Sequence, residues 1–315
     1  MSIFQNLKAK YATAEIDKNS FIQAMHKQHS VLFDTSTHLA NCNIKEFRLT
    51  ENGVVATFKN PEISMVCPPA DTRIAPIEAF NFGDYEHDEI QLILRIVAKL
   101  GGAGTRFFDV GANAGFYSLA LAKTFPGICG TAFEPIPQTY GYLKANFALN
   151  GLTSVTTRNL ALSDKEGELV FYTYPTQSGA SSMARNLDSL DVVEVKCRVV
   201  KMDDYCAQHG DSIKSIDFIK CDVEGAELFV FKGGENILKR DTPLVFTEML
   251  RKWSRKFHYH PNDMIFFFST LEYDCFVIRG DCLEPIASVT AETLDTNFLF
   301  LHRSKHSDLI EAFVQ

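Results

Sequence analysis

A regular alternation of two residue patterns, beginning near residue 104, constrains the fold of this 315-residue chain more than any other feature. Short apolar segments with strand character recur, and most are followed by segments whose apolar residues repeat at helical spacing. The strand-like segments are 107–110, 130–133, 155–158, 216–221 and 244–247, and the helical ones are 118–125, 138–149, 226–239 and 263–271. This order predicts an α/β fold with a mainly parallel sheet covered by helices on both faces. Segments 276–278 and 298–301 are expected to close it as an antiparallel pair.

The remaining segments predict a second, smaller region and one excursion, which is a stretch that interrupts the alternation of strands and helices. Residues 1 to about 40 are helical in pattern, with one helix at 21–29, and an Asn52-Gly53 turn joins two strand-like runs of a hairpin. We therefore divide the chain into an N-terminal helical and β-hairpin region, 1–80, and an α/β domain, 81–315. The first region is a lid, a platform or a dimer contact. Strands are also predicted at 168–172 and 192–200, joined by a loop over the active face or by a solvated hairpin tip.

Composition excludes several classes of protein. The 31 basic and 39 acidic residues give a net charge of −8, which offers no general attraction to nucleic acid. No apolar run approaches the roughly 18 residues that a membrane span needs, and the first residues lack the pattern of a secretory signal. None of the eight cysteines forms C-x-x-C, so we expect reduced thiols in a cytoplasmic protein rather than a zinc cluster or a disulfide framework.

The strongest local motif is D-V-G-A-N-A-G at residues 109–115, which follows a predicted strand and opens a helix. Gly111 and Gly115 are four positions apart, whereas the outer glycines of a dinucleotide fingerprint are five apart, and no lysine follows Gly115 as in a P-loop. The pattern is that of the class I S-adenosylmethionine-dependent methyltransferases. Asp109 would favour the cationic end of this cofactor, while Asn113 and the loop N–H groups would meet its carboxylate. Glu134, 23 residues after Gly111, lies where a carboxylate can accept both ribose hydroxyl protons.

Several further segments resemble the FkbM-type methyltransferases over residues 80 to about 302. The similar segments are 83–86, 109–118, 133–135, 161–167, 217–227 and 297–300, with Cys221 where an aliphatic residue is more usual. The resemblance implies a Rossmann-like, seven-stranded class I methyltransferase sheet with an antiparallel last strand. It also implies methyl transfer from S-adenosylmethionine, usually to a hydroxyl of a sugar or secondary metabolite. Motif and resemblance together predict these cofactor-binding residues: Asp109, Gly111, Ala112, Asn113, Gly115, Tyr117, Ser118, Glu134, Pro135, Asn159, Ala161 and Asp222.

Three carboxylates are expected beyond the cofactor, because ligands bind at the carboxyl ends of parallel strands. Asp222 and Glu224 follow the strand at 216–221, and Glu248 follows the strand at 244–247. Methyl transfer to an alcohol needs a group that takes the hydroxyl proton, and clustered carboxylates raise one another's pKa toward that task. The same residues are also compatible with a helix cap or cofactor contact, or with a hard divalent cation, which is not expected. We predict Asp222, Glu224 and Glu248 as catalytic residues and no metal ligands.

Residues 251–260 contain the remaining candidates. His258 is predicted as a proton acceptor because its pKa lies near neutrality; with His260 it also has metal-compatible spacing, or forms a polar turn before a helix. Trp253 and Tyr259 are compatible with stacking on a sugar or with ordinary packing. The basic residues at 251–256 attract an anionic acceptor, or form a solvated helix face.

Three functions compete. An O-methyltransferase acting on a sugar, glycan or other small molecule, by in-line transfer with general-base assistance, leads. An N-methyltransferase is disfavoured because no D/N-P-P-Y motif follows the strand at 216–221. A non-catalytic cofactor-binding module is disfavoured because the cofactor motif is intact. The expected partners are a small-molecule or glycan acceptor and a second copy of the chain in a homodimer.

Overall fold

The computed structural model describes residues 2–189, 191–210 and 213–314. The α-helices are α1 (Ile3–Ala12), α2 (Lys18–His38), α3 (Ala75–Phe82), α4 (His87–Leu100), α5 (Phe116–Thr124), α6 (Pro137–Leu149), α7 (Met202–Gln208), α8 (Glu227–Lys232), α9 (Glu235–Asp241), α10 (Arg251–Ser254), α11 (Pro261–Ser269) and α12 (Ser307–Phe313). The strands are β1 (Ile44–Thr50), β2 (Gly53–Phe58), β3 (Ser64–Cys67), β4 (Arg106–Val110), β5 (Cys129–Phe133), β6 (Val155–Arg158), β7 (Ala161–Leu162), β8 (Gly167–Thr173), β9 (Val193–Val200), β10 (Phe218–Cys221), β11 (Leu244–Glu248), β12 (Tyr273–Arg279), β13 (Cys282–Pro285) and β14 (Asn297–His302).

The central sheet has the strand order β13-β12-β14-β11-β10-β4-β5-β6. Strands β11, β10, β4, β5 and β6 are parallel neighbours, whereas β14 runs antiparallel to both β11 and β12. The predicted α/β fold, mainly parallel with a reversed last strand, is therefore confirmed. The sequence does not predict β13, an eighth strand that pairs with the end of β12 and lies at the edge of the sheet. Pro285 ends this short strand, and an edge position tolerates its missing N–H group.

Central strands carry apolar side chains on both faces, as expected of parallel strands between two helix layers. Phe107 and Phe218 belong to the core that includes α4, α5 and α6, while Phe108 and Ile219 belong to the core with α7, α8, α9 and α11. Successive strand residues point to opposite faces, so one short apolar run supplies both cores. Each fully buried Phe contributes roughly 1.5–3 kcal/mol of hydrophobic stabilisation. This packing holds the carboxyl ends of β4, β5, β10 and β11 side by side.

The N-terminal strands form a second, antiparallel sheet in the order β1-β2-β3. Its edge strand β3 is bonded to helix α6 by two amide side chains: Asn146 accepts a hydrogen bond from the Val66 N–H, and Asn150 accepts one from the Ser64 N–H, both at 2.8 Å. Phe58 of β2 packs against the α5 helix, and one apolar core runs through both sheets. Helices α1 and α2, all of whose residues are described, contain no buried residue.

Some elements differ in extent from the sequence prediction. The helix predicted at 226–239 is two helices, α8 and α9, separated at Gly233 and Gly234. A Cβ atom at Gly233 would lie 2.0 Å from the carbonyl oxygen of Ser163, so the chain bends where it meets the loop after β7. The helix predicted at 21–29 is the longer α2, capped by the side chain of Asp17.

The predicted excursion is present as β8 and β9, which pair antiparallel, and β7 extends them into a third sheet. Over the part of the chain that the structure describes, no helix combines the length and the apolar character needed to cross a bilayer.

Candidate active site

A cavity of about 530 Å³ lies at the carboxyl ends of β4, β5, β10 and β11. The loops that follow these strands line it, together with residues 177–181 from the stretch between β8 and β9. In open α/β sheets, ligands bind in this crevice, where the strand order reverses. Of the predicted cofactor residues, these line the cavity: Gly111, Ala112, Asn113, Tyr117, Glu134, Pro135, Ala161 and Asp222.

The glycine loop at residues 111–115 passes close to the end of β10. Gly111 has φ +75°, and a Cβ atom there would lie 1.8 Å from the carbonyl oxygen of Asp222. The N–H groups of Gly111 and Ala112 both donate to the carbonyl oxygen of Phe133, at 3.1 and 2.9 Å. Only glycine fits this close approach of two strand ends, and the loop is thereby fixed beside β5.

Glu134 closes β5 and faces the glycine loop. Its carboxylate accepts hydrogen bonds from the N–H groups of Asn113, at 3.0 Å, and Ile136, at 2.8 Å. Burial raises the pKa of Glu134 to about 7, against the lowering effect of these two bonds. Asn159 does not line the cavity. Its side chain donates to the carbonyl oxygens of Glu134 and Pro135, at 2.9 and 2.8 Å, and so holds the backbone of that turn.

Asp109, Gly115 and Ser118 do not line the cavity. The Ser118 hydroxyl donates to Asp109 Oδ2 at 2.6 Å, and both residues are buried. Burial raises the pKa of Asp109, and the positive charge of Lys220 opposes this rise. Asp109 Oδ1 is buried and, among the described residues, has no hydrogen-bond partner.

Two cavity residues, Lys220 and Glu86, were missed by the sequence prediction. The Lys220 ammonium donates to the Gly111 carbonyl oxygen at 3.1 Å and lies 3.4 Å from Asp222 Oδ2 and 3.7 Å from Asp109 Oδ1. Burial alone would lower the pKa of Lys220, but these carboxylates raise it. A lysine inside a strand of otherwise buried residues is the signal that could have identified it, because lysine is rarely buried without a partner.

Glu86 comes from the turn before α4, where its backbone is left-handed with φ +45°. The hydroxyl of Tyr117 donates to Glu86 Oε2 at 2.5 Å. Burial raises the pKa of Glu86, and the hydrogen bond from Tyr117 opposes this rise. Tyr117 and Glu86 therefore form one buried pair on the wall of the cavity.

Asp222, Glu224 and Glu248 are brought together, with one oxygen of each carboxylate within 4.8 Å of the others. Burial raises the pKa of both Glu224 and Glu248 well above the ordinary value, and repulsion from Asp222 adds to it. Glu224 Oε2 and Glu248 Oε2 are buried and receive no hydrogen bond from any described residue. None of the three residues caps helix α8; Glu227 instead accepts from the N–H groups of Val223 and Gly225, at 3.0 and 2.9 Å.

The excursion loop, residues 174–189, covers this cluster. Glu224 has a left-handed backbone with φ +57°, and its carbonyl oxygen accepts from the Ser182 hydroxyl and from the Asn186 side chain, both at 2.9 Å. Asn113 donates to the Ser178 hydroxyl at 3.3 Å, so the loop also contacts the glycine loop. Of the two interpretations left open by the sequence, the loop over the active face agrees with this placement.

His258 is not brought to the carboxylates. It follows a short helical turn with φ +61° and lines a second, open cleft together with Arg251, Lys252 and Arg255. His260 accepts from the Asn262 N–H and caps α11, as in the polar-turn interpretation. Of the two aromatic residues, Trp253 lines the main cavity, whereas Tyr259 donates its hydroxyl to Glu227 Oε2 at 3.1 Å.

The order of the strands, with one reversed strand among parallel ones, and the crevice at their carboxyl ends define the class I methyltransferase fold. The chain belongs to the FkbM methyltransferase family: the model of the Methyltransferase FkbM domain matches residues 109–275, just over half of the chain. The resemblance seen in the sequence is thus confirmed.

The sequence identity to individual relatives is low. The chain is 30% identical over 151 residues to Methyltransferase sdnD of Sordaria araneosa, covering 40% of this chain and 58% of that protein. It is 29% identical over 160 residues to 31-O-demethyl-FK506 methyltransferase FkbM of Streptomyces tacrolimicus, covering 42% and 60%. Both matches take in less than two thirds of the relative. A crystal structure of Methyltransferase FkbM from Methylobacillus flagellatus KT is similar with a TM-score of 0.39 and 16% identity, over 63% of this chain and 44% of that one.

Proposed function

We propose that the chain is an S-adenosylmethionine-dependent O-methyltransferase whose acceptor is a hydroxyl group of a sugar, glycan or secondary metabolite. The observation that carries the proposal is that one cavity is lined by the glycine loop, by Glu134 and by a cluster of three carboxylates. Family membership supports methyl transfer, and the relative named 31-O-demethyl-FK506 methyltransferase supports an oxygen acceptor.

The residues present fit the proposed methyl donor. Glu134 offers two carboxylate oxygens for a ribose diol, and the absence of a side chain at Gly111 lets a ligand approach the loop backbone. Asp109 does not line the cavity, and its Oδ1 lies 3.7 Å from the Lys220 ammonium, so it would act on the cationic end of a methionine moiety through its charge and not through contact. S-adenosylmethionine, when bound, supplies a methyl group on a positively charged sulfur.

The chain's own residues would then prepare the acceptor. An alcohol becomes a good nucleophile only as it loses its proton, so a positioned base accelerates the transfer. Burial raises the pKa of Glu224 and Glu248, which makes each carboxylate a stronger base for the hydroxyl proton. Asp222, 3.4 Å from the Lys220 ammonium, would orient the hydroxyl. His258, in the second cleft, is a weaker candidate for the base than these carboxylates.

Two measurements test the proposal. Calorimetry with S-adenosylhomocysteine should give one site, and Glu134→Ala should weaken binding at least tenfold, while Glu166→Ala, an exposed glutamate, should not. Transfer of a labelled methyl group to metabolite and glycan mixtures should yield products that are stable ethers. The proposal would be contradicted if the labelled products were N-methyl compounds. It would also be contradicted if Glu134→Ala bound S-adenosylhomocysteine as tightly as the wild type.

We further propose that the chain divides at residue 80, with residues 1–80 serving as a lid, a platform or a dimer contact. We also propose that the protein forms a homodimer and has no nucleic-acid partner.

A further inference from the structure

The second cleft, about 1240 Å³, is next to the proposed active site. Leu250 and Lys252 line both the cleft and the cofactor cavity, so the two spaces meet at these residues. The ammonium of Lys252 lies 4.2 Å from the ring centroid of Trp253, and Trp253 itself lines the cofactor cavity. A molecule in the cleft can therefore reach past Lys252 toward Glu224 and Glu248.

Positive side chains dominate this cleft although the chain carries a net charge of −8. Arg251 is fixed in place, because its guanidinium donates to the carbonyl oxygens of Ala291 and Thr293, at 3.0 and 3.5 Å. The side chains of Arg255 and His258 make no hydrogen bond or ion pair with any described residue. Lys252 contacts the Trp253 ring, and its charge opposes the raised pKa of Glu224.

The carboxylates of the same cleft are already engaged. Asp295 is paired with Arg279, which lowers the pKa of Asp295, and Asp263 accepts a hydrogen bond from the His260 N–H at 2.8 Å. Lys256, next in the basic run, is also engaged, since it donates to the carbonyl oxygens of Arg185 and Asn186. Lys252 and Arg255 are thus the positive side chains of the cleft that form no hydrogen bond with a described residue, and the His258 imidazole lines the same cleft.

We propose that the methyl acceptor is an anionic molecule whose carboxylate or phosphate group binds in this cleft, on Arg255, Lys252 and His258, while its hydroxyl reaches the carboxylates of the cofactor cavity. This inference rests on the proposed function and names its substrate class. Guanidinium and ammonium groups bind carboxylate and phosphate oxygens through charge-assisted hydrogen bonds.

The test uses the full-length protein, methyl-labelled S-adenosylmethionine and a small-molecule extract of the cells that carry the gene. Labelled product should be retained by an anion exchanger at pH 8 and released by salt. Treatment with alkaline phosphatase distinguishes the two sources of charge: a phosphate ester loses its retention, and a carboxylate keeps it. Labelled product that, once separated from unreacted S-adenosylmethionine, passes through the resin unretained would overturn the inference. Label found only in unreacted S-adenosylmethionine would instead contradict the proposed transfer reaction.

A pair of double variants provides the second arm. Lys252→Ala with Arg255→Ala should raise the extract concentration that gives half-maximal transfer at least tenfold. Lys165→Ala with Lys196→Ala removes the same charge from exposed positions elsewhere and should leave that concentration unchanged. Equal half-saturation in the two double variants would overturn the inference even if both proteins fold and bind the cofactor product.

Discussion

At the scale of single residues, Gly111 shows how closely two strand ends meet beneath the cofactor loop. In Gly111→Ala, the new Cβ atom would lie 1.8 Å from the Asp222 carbonyl oxygen, and the residue would keep a φ of +75°. The unfavourable φ alone costs about 1–3 kcal/mol, and the clash adds to it by moving the loop. We expect a clear loss of stability in urea unfolding and at least tenfold weaker binding of S-adenosylhomocysteine.

Gly151 provides the matched control for this substitution. It has φ +63°, and a Cβ atom there would meet nothing within 4 Å. Gly151→Ala therefore carries the backbone strain without the clash and should leave ligand binding unchanged. Equal effects of the two substitutions would show that the approach to Asp222 is unimportant.

Glu134 gives the site a pH dependence. Burial raises its pKa in the free protein to about 7. The ionised carboxylate accepts more strongly from both ribose hydroxyls, whereas the protonated carboxyl uses one oxygen as a donor. Affinity for S-adenosylhomocysteine should therefore rise up to tenfold per pH unit between about pH 5 and 7 and level off above. The effect on folding has the opposite direction: the contribution of this group to stability is complete below pH 4.5 and is lost as pH rises through about 7. Calorimetry across this range on wild type and Glu134→Gln tests the assignment, because the variant should show no such slope.

Lys220 explains why the acidic cluster is expected to work without a metal ion. Its ammonium already lies beside Asp222 and Asp109 and neutralises part of their charge. We therefore expect methyl transfer to be unchanged after dialysis against a chelator, measured by the labelled-methyl assay. Activity that disappears on dialysis and returns with Mg²⁺ would instead assign Asp222, Glu224 and Glu248 to a cation.

Lys220→Met should lower stability by about 3–5 kcal/mol, because it leaves Asp109 buried without its counter-charge.

At the scale of elements, the excursion loop positions Glu224. The Asn186 side chain donates to the Glu224 carbonyl oxygen and is itself buried, so it supports the left-handed backbone of that residue. In Asn186→Ala we expect the transfer rate at saturation to fall about tenfold, with affinity for S-adenosylhomocysteine nearly unchanged, because Glu134 and its contacts stay in place. Asp188→Ala, at an exposed position of the same loop, serves as the control. A fall in cofactor affinity alone would argue against positioning of Glu224.

The sequence predicts the elements that periodicity determines and misses those set by tertiary contact. Strands β4, β5, β10 and β11 follow from apolar runs, and the glycine loop follows from its spacing. The break between α8 and α9 depends on the approach of Gly233 to Ser163, which is 70 positions earlier in the chain. The sequence does not predict Lys220 as a site residue, because a pattern of apolar positions gives no information about a charged residue within a strand. In the structure Lys220 is buried beside two carboxylates, and this makes it part of the site.

At the scale of the whole molecule, the N-terminal helices α1 and α2 should matter less for folding than the small sheet of β1, β2 and β3 that follows them. Helices α1 and α2, within the described chain, bury no residue, whereas Phe58, Ile63 and Met65 of the small sheet region are fully buried in the core shared with the large sheet. Each of these three side chains contributes roughly 1.5–3 kcal/mol, a sum comparable to the net stability of about 5–15 kcal/mol of an ordinary domain. A variant lacking residues 1–36 should therefore unfold cooperatively, with a melting temperature within a few degrees of the full chain. A variant lacking residues 1–80 should be insoluble or lack a cooperative transition. The melting of both variants is followed by circular dichroism. If the variant lacking residues 1–80 melted at the same temperature as the full chain, the small sheet would not be part of the core that supports the site.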